Sequence, residues 1–419
     1  MSVFVRSRSR RAGAVAAVIA AVIVPVGACG FGCSRKEQPP GLTSAVSTGT
    51  GRAREVHGGR LREVNGCPVL ELWGTPEEMG AAHGLLLGDV VRRVIRDVLA
   101  PSEDSRRWRE IRAGAEVMER RQPERFRAEM RALAQAAGVE YMEVVALQLF
   151  GDAARASGTA SGEGAVPPGQ QCTTYAVFGP ATATGECIVG RNFDYGYTSV
   201  AKYASLVVHY RPDGRHALVT ISWAGVVNGW TLMNDAGLVA ANNTVLAADE
   251  SLEGISTCFL QRLIVEDCAT VAEAVALVEA ASRAVGTAML VAGGEPPDAA
   301  EMEFDHSAFA VRRAHAGYVL AANGFRALGR AAPLAPDARG LRSGRYEKLL
   351  DLILANHGRI DRSMNFAAAP DVAIAHINLH SALLFPKNLS FAVSMGPGYS
   401  CRGEYLHIRM TPSGLQTAE

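Results

Sequence analysis

Little in the sequence marks it for a specialised class. Its eight cysteines are spread over 419 residues, too sparse for a small disulfide scaffold. Neither charge sign is in excess: 42 Lys and Arg balance 42 Asp and Glu, which argues against a dedicated nucleic-acid binder. The 43 glycines follow no Gly-X-Y period. They exclude collagen and predict many turns and close backbone approaches. There is no internal repeat, no P-loop and no zinc-ligand spacing, and the ten histidines show no metal pattern. His376 and His380 lie four apart, but in a stretch that reads as loop or strand instead of helix. What remains is 48% hydrophobic and 20% charged, which rules out wholesale disorder. The length admits two or three ordinary domains or one large layered domain.

The N-terminus reads as an address. Arg6, Arg8, Arg10 and Arg11 precede an apolar stretch at 12–28, the order of a secretory signal. That stretch is short for a bilayer span, which needs about 20 residues. Val26-Gly27-Ala28-Cys29 is similar to a bacterial lipobox, in which the Cys is lipidated and becomes the mature N-terminus. An ordinary signal peptide or an uncleaved anchor are the alternatives, and Cys33 fits the motif less well. Residues 1–28 are therefore expected to be a lipoprotein signal peptide, and 29–66 a flexible tether. The expected location is the bacterial cell envelope, outside the cytoplasm, with the membrane as a partner through the lipid.

The fold is expected to start near Cys67. Thr75-Pro76-Glu77-Glu78 supplies an N-cap, a proline at the first helical position and a glutamate at the third. Helical patterns continue to about 99, then cover 104–120, 123–137 and 140–154. Residues 157–170 hold Ser, Gly, Thr, Ala and Pro167-Pro168, and read as an exposed loop. After Cys172 the pattern turns to strands at 173–179, 187–193, 203–210, 216–223, 228–233 and 237–243. Helices are predicted at 254–268, 270–283 and 342–356. Further strands are predicted at 287–293, 307–313 and 317–322 and in short runs over 376–410. Strands, then helices, then strands again predict sheets covered by helices on their outer faces.

The chemistry gathers where loop meets strand. Gln171-Cys172-Thr173-Thr174-Tyr175 opens one strand, and Gly190-Arg191-Asn192-Phe193-Asp194 ends the next. If a turn at 180–185 closes these two into a hairpin, Cys172 lies close to Arg191 and Asp194. A thiol becomes a good nucleophile when a base is within reach and positive charge favours the thiolate. A cut before Cys172 would free an α-amine on the nucleophile's own residue, with a reference pKa of about 7.7–8.0. Asp194 could orient that amine and Arg191 could stabilise negative charge. The other cysteines have plainer readings: Cys187 as a core thiol, and Cys67, Cys258, Cys268 and Cys401 as candidates for unassigned disulfides. Trp223 and Trp230 could line an acyl pocket or simply pack in the core.

The separated motifs, in their order, resemble the N-terminal nucleophile (Ntn) hydrolases with a Cys nucleophile. Within them the sequence is similar to the acyl-CoA:6-aminopenicillanic acid acyltransferase (isopenicillin N acyltransferase) family, with penicillin V acylases and bile salt hydrolases as more distant relatives. The resemblance covers about 67–410. It is carried by Gly74-Thr75-Pro76-Glu77-Glu78-Met79-Gly80 with His83-Gly84, by Ala137-Gly138-Val139, and by the Cys172 and Arg191/Asp194 segments. Asn234-Asp235-Ala236-Gly237-Leu238 leading to Asn242-Asn243-Thr244, Ala322-Asn323-Gly324-Phe325 and Ser343-Gly344-Arg345-Tyr346 complete it. Gly324 stands where the family commonly has His, Ala322 where it has Thr, and Gln171 where the prototype junction has Gly.

The resemblance implies an α+β fold, a four-layer αββα sandwich. It implies one catalytic domain made of a mainly helical pro-segment or α-chain, 67–171, and a nucleophile-bearing β-chain, 172–419. Catalytic residues would be Cys172, Arg191, Asp194, Asn243, Asn323 and Arg345, with self-cleavage between Gln171 and Cys172. Asn243 would donate to the oxyanion, with Asn242 its competitor because neighbouring strand residues face opposite ways. Asn323 would hold the α-amine or acyl group and Arg345 would complete the charge network. The implied activity is hydrolysis or transfer of the acyl group of a linear amide through an acyl-enzyme on Cys172, with a small acyl amide as substrate. A lipid amidase or ester hydrolase, and a non-catalytic lipoprotein binding hydrophobic amides, are the rival readings. No cofactor and no metal are implied, nucleic acid is not expected as a partner, and a homo-oligomer is left open.

Overall fold

The computed structural model describes residues 53–99, 106–158, 171–329 and 344–418. Cys29, the signal segment and most of the 157–170 loop lie outside them.

Three strands open the chain: β1 (Arg54–Val56), β2 (Gly59–Val64) and β3 (Cys67–Gly74). The first two fall where the sequence predicts tether, so the fold begins before Cys67. The reason is pairing: Arg60 and Arg62 on β2 both hydrogen bond the buried Glu71 carboxylate on β3. Four helices follow, α1 (Pro76–Leu99), α2 (Arg106–Glu119), α3 (Glu124–Ala137) and α4 (Tyr141–Ala156). The capping signal at α1 is realised reciprocally. Glu78 N donates to Thr75 Oγ1 at 3.2 Å, and Thr75 N to Glu78 Oε2 at 2.8 Å. Gly80 lets α1 press on α3, since a Cβ there would stand 2.1 Å from the Glu129 carbonyl oxygen.

The rest of the chain alternates strands and helices. It runs β4 (Thr173–Val177), β5 (Ile188–Asp194), α5 (Thr198–Ala204), β6 (Ser205–Pro212), β7 (Leu218–Trp223), β8 (Thr231–Asn234) and β9 (Val239–Thr244). Then come α6 (Thr257–Asp267), α7 (Val271–Ala280), β10 (Thr287–Gly293), β11 (Asp298–Phe304), β12 (Phe309–Arg313), β13 (Tyr318–Ala321) and α8 (Arg345–Asn356). The chain closes on β14 (Asn378–Phe385), β15 (Ser390–Met395), β16 (Leu406–Thr411) and β17 (Gly414–Thr417). The sequence did not predict α5 or β11.

The strands make two sheets, a ten-stranded one ordered β1-β2-β3-β6-β7-β8-β9-β10-β11-β12 and a seven-stranded one ordered β13-β4-β5-β14-β15-β16-β17. Pairing is antiparallel except for β3 with β6. Three apolar interfaces define the layers. Leu70, Val208 and Leu232 on the outer face of the large sheet pack against Val91, Leu133, Val145 and Phe259 of the helices. Val207, Val219 and Leu290 meet Ala176, Val189 and Val393 between the sheets. Tyr175, Ile188 and Leu320 on the outer face of the small sheet pack against Leu349 and Ile353 of α8. Three interfaces mean four layers, the αββα sandwich expected.

Candidate active site

The turn predicted at 180–185 does close a hairpin: β4 and β5 pair antiparallel, with Thr173 opposite Asn192 and Thr174 opposite Arg191. The Gln171 N–H, donating to the Asp194 carbonyl at 2.8 Å, extends the ladder one step past Cys172. Cys172 therefore sits at the strand mouth, fully buried. Its main-chain N–H donates to Asn323 Oδ1 at 2.8 Å. Asn323 follows β13, the strand next to β4, and its Nδ2 donates to the Thr244 carbonyl at 2.7 Å. From the start of α8, Arg345 reaches Asn323 Oδ1 at 3.0 Å, the Cys172 carbonyl at 3.4 Å and Gln171 Oε1 at 3.5 Å.

Arg191 and Asp194 are three residues apart on a strand, so they face opposite ways. They form two centres, not one ion pair. Arg191 points between the sheets, where Nη1 donates to Thr174 Oγ1 at 2.9 Å and to Asn243 Oδ1 at 3.0 Å. Its Nε and Nη2 are buried without a hydrogen-bond partner among the described residues. Asp194 faces α8. It accepts from Asn378 Nδ2 at 2.7 Å and Ile374 N at 2.9 Å, and lies 3.6 Å from Arg345 Nη1. Asn323, not Asp194, makes the direct contact with the Cys172 nitrogen.

Asn243 faces Arg191, whereas Asn242 is on the other side of β9. One N–H of the Asn243 amide goes to the Ala288 carbonyl at 3.1 Å and its oxygen serves Arg191 and Thr174, which leaves a second amide hydrogen. All six residues the sequence singled out are thus within one buried cluster. Two partners were missed. Thr174 was quoted only as part of a motif, and Asn378 carried no local signal because it acts from β14, far along the chain.

Burial pushes the Cys172 thiol pKa up, against the pull of Arg191, the Asp194 main chain and Arg345. Burial also raises Asp194, opposed by the Ile374 N–H, Asn378 and Arg345. Burial accordingly favours the protonated thiol at Cys172. His380 stacks on Phe193 with centroids 5.0 Å apart, and its Nε2 lies 2.8 Å from Thr231 Oγ1. Burial and Arg191 drive its pKa well down, so it is a neutral packing group. Trp223 and Trp230 stack in the same aromatic cluster as Phe193 and Tyr195.

The described cysteines are all free thiols, so none of the disulfides considered from sequence forms among them. Among the described residues there is no cluster of His, Cys, Asp and Glu able to hold a metal, and no helix long and apolar enough to cross a membrane. A cavity of about 220 Å³ lies elsewhere, beside Met79, Arg125, Glu129 and Arg262.

Residues 182–356 match the model of the family described as acyl-coenzyme A:6-aminopenicillanic acid acyl-transferase. Over this stretch, less than half of the chain, the sequence is similar to that family. The match takes in Arg191, Asp194, Asn243, Asn323 and Arg345 and begins after Cys172. An uncharacterized protein of Archaeoglobus fulgidus is 27% identical over 266 residues, 58% of this chain and 44% of that protein. The chain thus matches less than half the length of that curated relative. Among solved structures, a mutant of conjugated bile acid hydrolase from Clostridium perfringens is 13% identical with a TM-score of 0.42, covering 59% of this chain and 96% of that one. An N-acylethanolamine-hydrolyzing acid amidase ortholog of Caenorhabditis elegans is 16% identical with a TM-score of 0.39, covering 51% and 93%. Penicillin V acylase from Agrobacterium tumefaciens is 13% identical with a TM-score of 0.37, covering 57% and 87%.

Proposed function

We propose that the chain is a self-processing, Cys-dependent amidohydrolase or acyltransferase. The observation that carries this reading is the Cys172 main-chain nitrogen held 2.8 Å from Asn323 Oδ1 beside two buried arginines. That nitrogen is an amide in the intact chain and would be an α-amine once the Gln171–Cys172 bond is cut.

In the first round Sγ attacks the Gln171 carbonyl carbon, and its proton goes to the departing Cys172 nitrogen. Water then hydrolyses the thioester, leaving a carboxylate on Gln171, a thiol on Cys172 and a free α-amine. In the second round the α-amine takes the thiol proton and Sγ attacks a substrate amide. The tetrahedral oxyanion collapses with loss of the amine, which leaves with the proton. Water, or a second amine, then releases the acyl group from sulfur. The two unpartnered nitrogens of Arg191 and the spare hydrogen of Asn243 are suited to the negative charge that develops. Asn323 Oδ1 would hold the α-amine, Arg345 would hold Asn323 and the Cys172 carbonyl, and Asp194 would keep Arg345 in place. Thiol, amine and donors all belong to the chain, so the mechanism calls for no cofactor. The family match supports acyl chemistry on an amide of undetermined acyl and amine parts. With Cys29 lipidated, the enzyme would work at the membrane, outside the cytoplasm.

The test is self-cleavage. Purified protein on a denaturing gel should give a fragment whose N-terminal residue is Cys172, and Cys172→Ala should remain intact and inactive. A chain that stays whole while turning over amides, or a Cys172→Ala protein with undiminished activity, sinks the reading. Intact mass of the mature protein reports lipidation at Cys29 in the same measurement.

A further inference from the structure

Two carboxylates on β11, Glu301 and Glu303, are fully buried on the inner face of the large sheet. Glu303 is opposite Ala288, which is opposite Asn243, so Glu303 shares a row with Asn243 two strands away. Its carboxylate accepts three successive main-chain N–H groups from the segment after β13: Arg326 at 2.5 Å, Ala327 at 2.7 Å and Leu328 at 2.8 Å. Charge-assisted bonds of this kind are about twice as strong as neutral ones. The segment they hold begins at Asn323, whose Oδ1 receives the Cys172 N–H.

The hub has a second arm. Arg312 on β12 pairs with Glu301 and lies 3.5 Å from Glu303 Oε1. Its Nη1 donates to the Tyr346 hydroxyl at 3.3 Å and its Nη2 to the Leu320 carbonyl at 2.6 Å. Tyr346 follows Arg345, and Leu320 lies on β13 just before Asn323. Burial pushes the Glu301 pKa up to about 8, with Arg312 pulling it down and Glu303 pushing it further up.

We infer that Glu303, assisted by Arg312, is a positioning residue that sets Asn323, and through Tyr346 the start of α8, against Cys172. It touches neither the thiol nor the substrate, and its consequence for activity rests on the function proposed above.

The amide at position 172 reads Asn323 directly, so hydrogen exchange tests the inference without any turnover. In a Cys172→Ala background, which cannot self-cleave, Glu303→Gln should speed exchange of the position-172 amide at least tenfold. The Ala176 amide in mid-strand should not change. Asn323→Ala should give the full loss of protection for comparison. In the otherwise native chain the same Glu303→Gln change should slow self-cleavage tenfold or more with the melting temperature held within a few degrees. Should Glu303→Gln fail to fold, Glu303→Asp, which keeps the charge, is measured instead and should give a smaller loss at position 172. Unchanged protection at position 172, with the 326–328 amides exchanging faster, overturns the inference. Lost protection without any self-cleavage in the native chain leaves the inference standing and counts against the proposed function.

Discussion

Two buried arginines in this molecule live under opposite conditions. Arg262 on α6 is enclosed by partners: Glu129 Oε2 at 2.7 Å, Glu266 Oε1 at 2.8 Å and the Val227 carbonyl. Arg125 extends the chain of pairs to Glu266 and Asp267. Arg191, equally buried, shares one nitrogen with Thr174 and Asn243 and has two with no partner among the described residues. Leaving a charged donor unmade in the interior costs stability, and Arg191 leaves two unmade. The Arg262 network joins α3 to α6, and under the function proposed above the open nitrogens of Arg191 would meet an anion that arrives with the chemistry.

The contrast can be broken experimentally, most strongly at Arg191. Arg191→Met should slow self-cleavage by about 10²–10³, the usual effect of losing one oxyanion donor, while the melting temperature stays level or rises. Thr174 Oγ1 and Asn243 Oδ1 already lie 3.2 Å apart and can satisfy one another. Densitometry of the fragments over time, beside a thermal melt, checks both halves, and a large loss of stability would contradict the contrast. Arg262→Met should do the reverse. Removing one member of a buried ionic network costs about 3–5 kcal/mol, read by urea unfolding, with self-cleavage of the folded protein altered no more than about threefold.

A third, gentler test is acid. Burial would raise the Glu71 pKa, but Arg62, Arg60 and the Leu415 N–H overcome it and hold it at about 2. A depressed folded pKa means that the stabilisation is complete above the ordinary carboxylate value of 4.5 and is lost as pH falls towards 2. Glu71→Gln should therefore flatten the decline of stability over that window, whereas an unchanged slope would show that other carboxylates set it.

Much of this was readable without coordinates, and the failures have physical causes. Thr75-Pro76 and Thr270 announce helix starts because their signals are local, and both capping boxes form. The hairpin that brings Cys172 to Arg191 was legible from turn residues between two strand-like runs. Strand β11 was missed although Ala300, Met302 and Phe304 alternate with Glu301 and Glu303; that pattern would turn the acids to solvent, and the structure buries them. Only Arg312 and a distant row of amides make those acids tolerable there, and neither is visible locally. The separation of Arg191 from Asp194 onto two faces follows from their odd spacing, and in the uncut chain the Cys172 N–H is held by Asn323.

The lone parallel pairing in the large sheet has a further consequence. Strands β1, β2 and β3 all precede the proposed cut, and β3 runs beside β6 from Val69 opposite Val207 to Gly74 opposite Pro212. A severed N-terminal piece would still be woven into the sheet as its border. Stripping it away would bare the flank of β6, an unpaired edge of the kind that recruits strands from other chains. Strands β1 to β3 would thus be a permanent selvedge of the fabric, and a chain made without them would meet its own copies before it met a substrate.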